Sequence, residues 1–276
     1  MRSQGLSLRE AAALRLADGP AHTLELAREV MGLSGHAGAA SRAVFTLLGA
    51  DPRFGVDAVG VWTLREGVEP PGPPFASHRF AVVDVETTGG RSGTGDRITE
   101  IAVVHVDRGA VGSVYHTLVN PGRPIPPWVQ GLTGITDAMV AEAPYFEGIA
   151  ERVAESLGDR IFVAHNASFD WGFVQSELLA ATGDIPSVER LCTVQLGRLL
   201  VPRLRRHGLD AMTAHYRIRV EDRHRALGDA IATARLLIHL FREADTHGLS
   251  DLGALRFALG GRGFAPGESR SGAEEG

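Results

Sequence analysis

Residues 79–86 have the sequence RFAVVDVE, and two further segments, ITEIAVVHVD (98–107) and VGSVYHTLVN (111–120), share its character. All three are rich in β-branched residues, which favour strands. The last two are joined by the turn signal DRG at residues 107–109, a combination typical of a tight turn. The pattern therefore predicts an antiparallel meander of three strands.

Strand and helix patterns alternate downstream of this meander. In chain order they are a helix (144–158), a strand (161–166), a helix (168–183), a strand (188–194) and three helical segments, the last including residues 227–244. Ser168 is the predicted N-cap of the second helix and Gly183 its stop. This order predicts an α/β fold in which helices flank a mixed sheet.

Upstream of the meander lies a separate region with a different pattern. Residues 67–78, GVEPPGPPFASH, contain four prolines and two glycines without any helical or strand period, which predicts a linker. Before it come three helical patterns, at 6–17, 24–33 and 41–48, and a hairpin pattern over 56–66. Three helices and a hairpin resemble a winged helix, which serves either nucleic-acid binding or protein contacts.

The composition is that of a soluble globular protein. Of the 276 residues 44% are hydrophobic, yet no apolar stretch approaches the roughly 20 residues that span a bilayer. We therefore expect a cytoplasmic protein without a membrane partner. The single cysteine, Cys192, excludes an internal disulfide and is expected to be an ordinary thiol. A net charge of -5 argues against coating nucleic acid by bulk charge but permits a site for one strand end.

Two carboxylates stand at the end of the first strand. Asp84 and Glu86 are two positions apart and therefore project from the same face. They are either a solvated pair or the ligands of a cation, which would offset the cost of gathering two charges at an apolar strand. Thr87, Thr88 and Gly89 follow and allow a sharp turn, with hydroxyls and amides available to a ligand.

Two more acids and a histidine stand at the starts of later helices. Asp170 lies in HNASFD, where a carboxylate either favours the helix dipole or belongs to a site. Asp229 lies in HRALGDA, five positions after His224, which is either an exposed polar residue or a base for water. Four hard oxygen donors without a cysteine partner suit Mg²⁺ or Mn²⁺ better than zinc.

The motifs DVETTG, HNASFD and HRALGDA together resemble those of the DEDD exonucleases, in the histidine branch that contains the proofreading subunit of bacterial replicative DNA polymerase. The resemblance covers about residues 78 to 244 and includes GLTGIT at 131–136. It implies an RNase H-like fold, two Mg²⁺ or Mn²⁺ ions, and 3′-to-5′ hydrolysis that releases nucleoside monophosphates. It assigns metal binding to Asp84, Glu86, Asp170 and Asp229 and the general base to His224.

The same resemblance places the terminal nucleotide against a second set of residues. These are Thr87, Thr88, Gly89, Asn166 and Phe169. Core packing is the alternative for Phe169, and His165 is either structural or functional. Trp128 and Trp171 either stack on bases or pack within the protein.

Seven arginines crowd the segment before the third motif, in a chain whose 28 cationic residues are all arginine. They are at positions 203, 205, 206, 217, 219, 223 and 225. They either bind phosphates near the cleft or form a solvated basic loop.

We accordingly expect a winged-helix-like domain (1–66), a linker (67–78), an exonuclease domain (79–245), and a C-terminal helix with a disordered tail (246–276). DNA is the expected substrate, with short RNA as the alternative, and a polymerase or repair protein is a candidate partner. A different class also fits the sequence, namely a recruitment module that binds nucleic-acid ends without cutting them. Retention of all four acids and His224 favours the enzyme.

Overall fold

The computed structural model describes residues 7–65 and 74–260, and the backbone of 264–265. Contacts divide the chain into two compact units, Met1–Phe75 with Glu243–Gly261 and Ala76–Arg242 with Arg262–Gly276. Within the described ranges, no helix is both long enough and apolar enough to cross a membrane.

The helices are α1 (Leu8–Ala17), α2 (Thr23–Glu29), α3 (Ala37–Leu48), α4 (Pro127–Thr133), α5 (Asp137–Val140), α6 (Ala150–Leu157), α7 (Ala167–Thr182), α8 (Thr193–Leu200), α9 (Leu209–His215), α10 (Ala226–Thr246) and α11 (Leu252–Ala258). The strands are β1 (Ala21–His22), β2 (Phe54–Val56), β3 (Val61–Leu64), β4 (Arg79–Thr87), β5 (Ile98–Asp107), β6 (Ala110–Leu118), β7 (Ile161–Ala164), β8 (Arg190–Cys192) and β9 (Phe264–Ala265). Short 3₁₀ turns lie at Phe75–Ser77 and Phe146–Gly148.

The first unit contains the three predicted helices and the hairpin, together with the short strand β1. Its sheet has the order β1-β3-β2 and is antiparallel. Trp62 is buried at its centre, and its indole N–H donates to Thr23 Oγ1 at 3.0 Å, so the ring packs without losing its hydrogen bond. Residues 243–261 belong to this unit, where the carbonyl of Gly248 accepts a hydrogen bond from Arg53 Nη2 at 3.0 Å.

The second unit is built on a six-stranded sheet of order β6-β5-β4-β7-β8-β9. Strands β4, β5 and β6 form the predicted antiparallel meander, with Arg108 and Gly109 both at positive φ in the turn. Strands β7 and β8 run parallel to β4, with helices between them in sequence. The predicted mixed sheet flanked by helices is confirmed.

Some local predictions differ from the structure. The sequence predicts a disordered tail after the C-terminal helix, but Phe264–Ala265 pair antiparallel with β8 at the edge of the sheet. The remainder of the tail lies outside the described residues. Of the predicted linker, residues 67–73 also lie outside them, whereas Phe75 is buried because a large aromatic ring gains from leaving water.

Candidate active site

Strand β4 delivers the first two carboxylates. Val83 and Val85 are buried on one face, while Asp84 and Glu86 alternate with them and are half-buried on the other face. A register shift against β5 between Glu86 and Thr87 marks the point where the regular strand ends.

Helix α7 brings Asp170 to this strand. Asp170 lies in the first turn and is buried, and its Oδ1 accepts a hydrogen bond from the amide of Val85 at 3.2 Å. That amide lies between Asp84 and Glu86, so the second motif contacts the first through the backbone. The N-cap is Asn166, in the left-handed region at φ 82°, and not Ser168 as predicted. Ser168 lies inside the helix, since the chain turns two residues earlier.

Helix α10 brings Asp229 to the same place. Arg223 donates both to Asp229 Oδ2 and to Asp210 Oδ1, the latter at 2.6 Å, and thereby ties the start of α10 to that of α9. Gly228 is required here, because a Cβ at this position would lie 1.9 Å from the carbonyl oxygen of Glu221. The loop before α10 can therefore pack directly on the helix backbone.

Three of the four predicted metal ligands form one cluster. Carboxylate oxygens of Asp84, Glu86 and Asp229 all lie within 4.8 Å of one another. Asp170 is outside this set and is linked to it through Val85.

Burial and mutual repulsion raise the pKa values of these acids. Burial, followed by the charges of Asp229, Glu100 and Asp170, raises the pKa of Glu86 to about 8. Burial raises the pKa of Asp170 to about 7, against the lowering effect of the Val85 amide. The pKa of Asp84 is raised well above its ordinary value, first by burial and then by Asp170 and the other acids. Such a cluster favours a bound cation, which would restore the charged form of each group.

The donor set fits a hard divalent metal. Asp229 Oδ1 is buried and has no hydrogen-bond partner among the described residues, which leaves one oxygen free for a ligand beside Asp84 and Glu86. All donors are carboxylate oxygens, as Mg²⁺ and Mn²⁺ prefer.

His224 stands on the loop just before α10. It is half-buried and has φ 63°, a left-handed conformation that turns the chain into the helix. Its Nδ1 lies 3.5 Å from Nη1 of Arg223, the residue that holds Asp229. His224 is thus placed one side chain away from the acidic cluster.

The residues predicted to border the nucleotide are placed in two groups. The hydroxyl of Thr87 donates to the carbonyl of Gly89 at 2.5 Å, and the hydroxyl of Thr88 accepts from the amide of Arg97 at 3.0 Å. These hydroxyls therefore stabilise the turn after β4, and their contact with a nucleotide stays a prediction. Asn166 and Phe169 line one surface depression together with residues 90–92 of that turn.

The two candidate tryptophans and His165 lie in different environments. Trp171 is buried and packs edge-on against Phe162, with ring centroids 5.1 Å apart, so it belongs to the core. Trp128 is 64% exposed on α4. His165 Nδ1 lies 2.9 Å from Thr193 Oγ1, and burial lowers the pKa of His165 to about 4, which keeps its ring neutral.

Sequence reasoning missed Glu100. This carboxylate on β5 is fully buried and lies opposite Glu86 in the sheet register. It accepts hydrogen bonds from His116 Nε2 (2.7 Å), Arg225 Nη2 (2.7 Å) and the amide of Ala226 (2.9 Å). Although burial alone would raise it, these donors lower the pKa of Glu100 to about 2. The sequence feature that could have identified Glu100 is a single acidic residue inside the otherwise uncharged, mostly apolar run ITEIAVV.

Residues 81–237, more than half of the chain, match the family model described as "Exonuclease" (RNase T). The chain belongs to this exonuclease family. The family resemblance predicted from the motifs is thereby confirmed, and all four acids and His224 lie within the matched segment.

Named relatives agree with this assignment. The exonuclease domain is 37% identical over 165 residues to the "3'-5' exonuclease DinG" of Bacillus subtilis, covering 60% of this chain and 18% of that protein. It is 38% identical over 188 residues to a "DNA polymerase III subunit epsilon-like protein" of Rhodobacter capsulatus, covering 66% of this chain and 26% of that protein. The match therefore spans about a quarter or less of these relatives' lengths.

A solved structure shares both fold and sequence. "Exonuclease X in complex with 5' overhanging duplex DNA" is 32% identical, with a TM-score of 0.51, and the match covers 63% of this chain and 98% of that one. Nearly the whole of that chain therefore aligns with this one, and the mixed sheet flanked by helices matches the RNase H-like exonuclease fold.

Proposed function

We propose that this chain is a metal-dependent 3′-to-5′ exonuclease that hydrolyses DNA ends to nucleoside monophosphates. The observation that carries the proposal is the convergence of Asp84, Glu86 and Asp229 within 4.8 Å, inside a segment that belongs to an exonuclease family. The end of one strand and the start of one helix, far apart in sequence, supply these groups, and a solvated surface pair would not require such convergence.

Asp84, Glu86, Asp170 and Asp229 are the proposed ligands of two Mg²⁺ or Mn²⁺ ions. Such ions, when bound, activate water and stabilise the charge that develops on the phosphodiester. His224 is the proposed base that accepts the proton of the attacking water. Arg223 orients Asp229, and Asn166 and Phe169 would contact the terminal nucleotide beside the turn formed by 87–89.

DNA is the proposed substrate because of the named relatives. The 32% identical Exonuclease X structure contains duplex DNA with a 5′ overhang, and a polymerase III epsilon-like protein is among the relatives. The latter also makes a polymerase or a repair protein a reasonable partner. For the first unit we propose a winged-helix-like module that binds nucleic acid or protein.

The test offers 5′-labelled single-stranded DNA, mismatched duplex DNA and short RNA side by side, with Mn²⁺, Mg²⁺ or EDTA. We expect a ladder of shortened DNA and released mononucleotides with either metal and no cleavage in EDTA. Asp84→Ala and Asp229→Ala should abolish cleavage while remaining folded, because the loss of one carboxylate relieves repulsion as it removes a ligand.

Each other outcome has a definite meaning. Faster degradation of RNA than of DNA would show that RNA is the substrate. Cleavage at internal positions would show that the enzyme is not an exonuclease. Tight binding of ends without release of mononucleotides in either metal would identify a recruitment module. Near-wild-type turnover in Asp84→Ala would remove the acidic cluster from the mechanism.

A further inference from the structure

Three uncompensated positive charges stand in the loop between α8 and α9. Arg203, Arg205 and Arg206 are exposed, and none forms a hydrogen bond or ion pair within the described part of the chain. By contrast, Arg160 and Arg225 of the same unit each bind a carboxylate. In a chain of net charge -5, this loop is a local concentration of positive charge.

The loop has a fixed shape. The carbonyl of Val201 accepts hydrogen bonds from the amide of Leu204 and from Nε2 of His207, both at 3.1 Å, which closes the turn. The flanking helices pack tightly, because a Cβ on Gly197 would lie 2.8 Å from Cε of Met212. The turn therefore presents its guanidinium groups from a stable base, which lowers the entropy lost on binding a ligand.

The loop is connected to the acidic cluster. The three arginines, Leu204 and Ala211 line one surface depression, and Ala211 directly follows Asp210. Asp210 accepts a hydrogen bond from Arg223, which also donates to Asp229. Two side chains thus separate the basic depression from a proposed metal ligand.

We propose that Arg203, Arg205 and Arg206 bind backbone phosphates of the nucleic-acid strand whose end enters the acidic cluster. The identity of this ligand rests on the proposed function. A strand that approaches four carboxylates is repelled, and unpaired arginines beside them offset the repulsion and bind phosphate oxygens through two parallel hydrogen bonds. The contacts would be independent of base sequence.

The test measures binding of fluorescein-labelled dT20 in EDTA, where no hydrolysis occurs, at several salt concentrations. It compares the wild-type chain with R203Q/R205Q/R206Q and with the control R79Q/R108Q/R152Q, which removes the same charge. Arg79 begins β4, about 23 Å along the strand from Glu86, and Arg108 lies in the β5–β6 turn at that same end. Arg152 is an exposed residue of α6.

We expect the loop variant to bind dT20 at least tenfold more weakly than the wild type at about 50 mM salt. The slope of log K against log salt should become less negative by about 2, since each single-strand phosphate contact contributes about 0.7. The control should stay within about threefold of the wild type. The ratio of wild-type to variant affinity should also grow with length from a dinucleotide to dT20.

Two results would overturn the inference. One is equal weakening by the loop variant and the control, which would indicate only net charge, and the other is no binding of dT20 by the wild type. Failure of the proposed function would be distinguishable from these results. If the chain binds dT20 through this loop but releases no mononucleotides in Mn²⁺, the inference stands and the proposed exonuclease activity is wrong.

Discussion

The carboxylates of the cluster are buried, and those of Asp84 and Glu86 are also repelled by their acidic neighbours, which makes the metal-free protein sensitive to pH. Glu86 and Asp170 have pKa values raised from 4.5 and 3.8 to about 8 and about 7. The folded chain therefore holds these protons more tightly than the unfolded chain does. The stability that these groups contribute is fully present below their ordinary pKa values and is lost as the pH rises through about 7 to 8.

We predict that the unfolding temperature of the EDTA-treated protein falls between about pH 5 and about pH 8. Mn²⁺ should reduce this fall, because it binds the deprotonated carboxylates and releases their protons. Glu86→Gln should show a weaker pH dependence in EDTA, since one of the raised groups is gone. Thermal unfolding across this range checks the prediction, and identical profiles for Glu86→Gln and the wild type would contradict it.

His224 can be tested with little change to the backbone. Its φ of 63° lies in the left-handed region, which asparagine adopts more readily than most residues. His224→Asn should therefore keep the loop and mainly slow the chemical step, lowering kcat at least tenfold, since a positioned base contributes about 10² to 10⁴. Affinity for Mn²⁺, measured by calorimetry, should change little. Turnover within about threefold of the wild type would exclude His224 as the base.

At the scale of elements, Glu100 joins strand β5 to the start of helix α10. Through Arg225 and the amide of Ala226 it fixes the residues between His224 and Asp229. We predict that Glu100→Gln lowers the free energy of unfolding by about 2 to 3 kcal/mol, because the new NH₂ group faces donors and Arg225 loses its charged partner. Affinity for Mn²⁺ should fall as well, because Asp229 lies on the released helix start.

Glu177→Gln is the matched control for this prediction. Glu177 is buried and accepts from Arg97 Nε at 2.8 Å and from the amide of Ile98 at 3.2 Å, an arrangement similar to that of Glu100. Glu177→Gln should lower the free energy of unfolding about as much as Glu100→Gln does, but it should reduce the affinity for Mn²⁺ less. Chemical denaturation and calorimetry measure the two effects, and equal losses of metal affinity in both variants would mean that Glu100 acts only through stability.

The elements that could be predicted from sequence are those with a strong local pattern. The meander β4–β6 follows from β-branched runs and a turn with two left-handed residues, and its two carboxylates follow from alternation. Glu100 could not be assigned, because its partners His116 and Arg225 come from distant segments and meet it only in the folded sheet. The same holds for β9, whose partner β8 lies far away in the sequence and meets it only in the folded sheet.

At the scale of the whole molecule, the contacts of residues 243–261 determine which fragments of the chain are expected to fold. The sequence predicts boundaries in the linker and after residue 245, with 246–276 as a separate C-terminal segment, but contacts group residues 243–261 with residues 1–75. Within that unit Arg53 donates to the carbonyl of Gly248, Ser250 bonds to Glu10, and Asp251 bridges to Pro74. Its apolar residues Leu252 and Leu255 are buried.

We therefore predict that deleting residues 1–72 gives a poorly soluble protein, whereas a fragment of residues 76–242 folds. The deletion removes the partners of 243–261 and exposes its leucines, each of which contributes about 1.5 to 3 kcal/mol when buried. The fragment 76–242 keeps strands β4 to β8 and every proposed metal ligand, and loses the two-residue strand β9 and the last turn of α10, residues 243–246. Thermal unfolding, size-exclusion chromatography and Mn²⁺-dependent hydrolysis of a dinucleotide test both. The protein that lacks residues 1–72 could instead be soluble and as stable as the fragment 76–242. In that case residues 243–261 would not depend on the first 75 residues, and the linker alone would divide the chain.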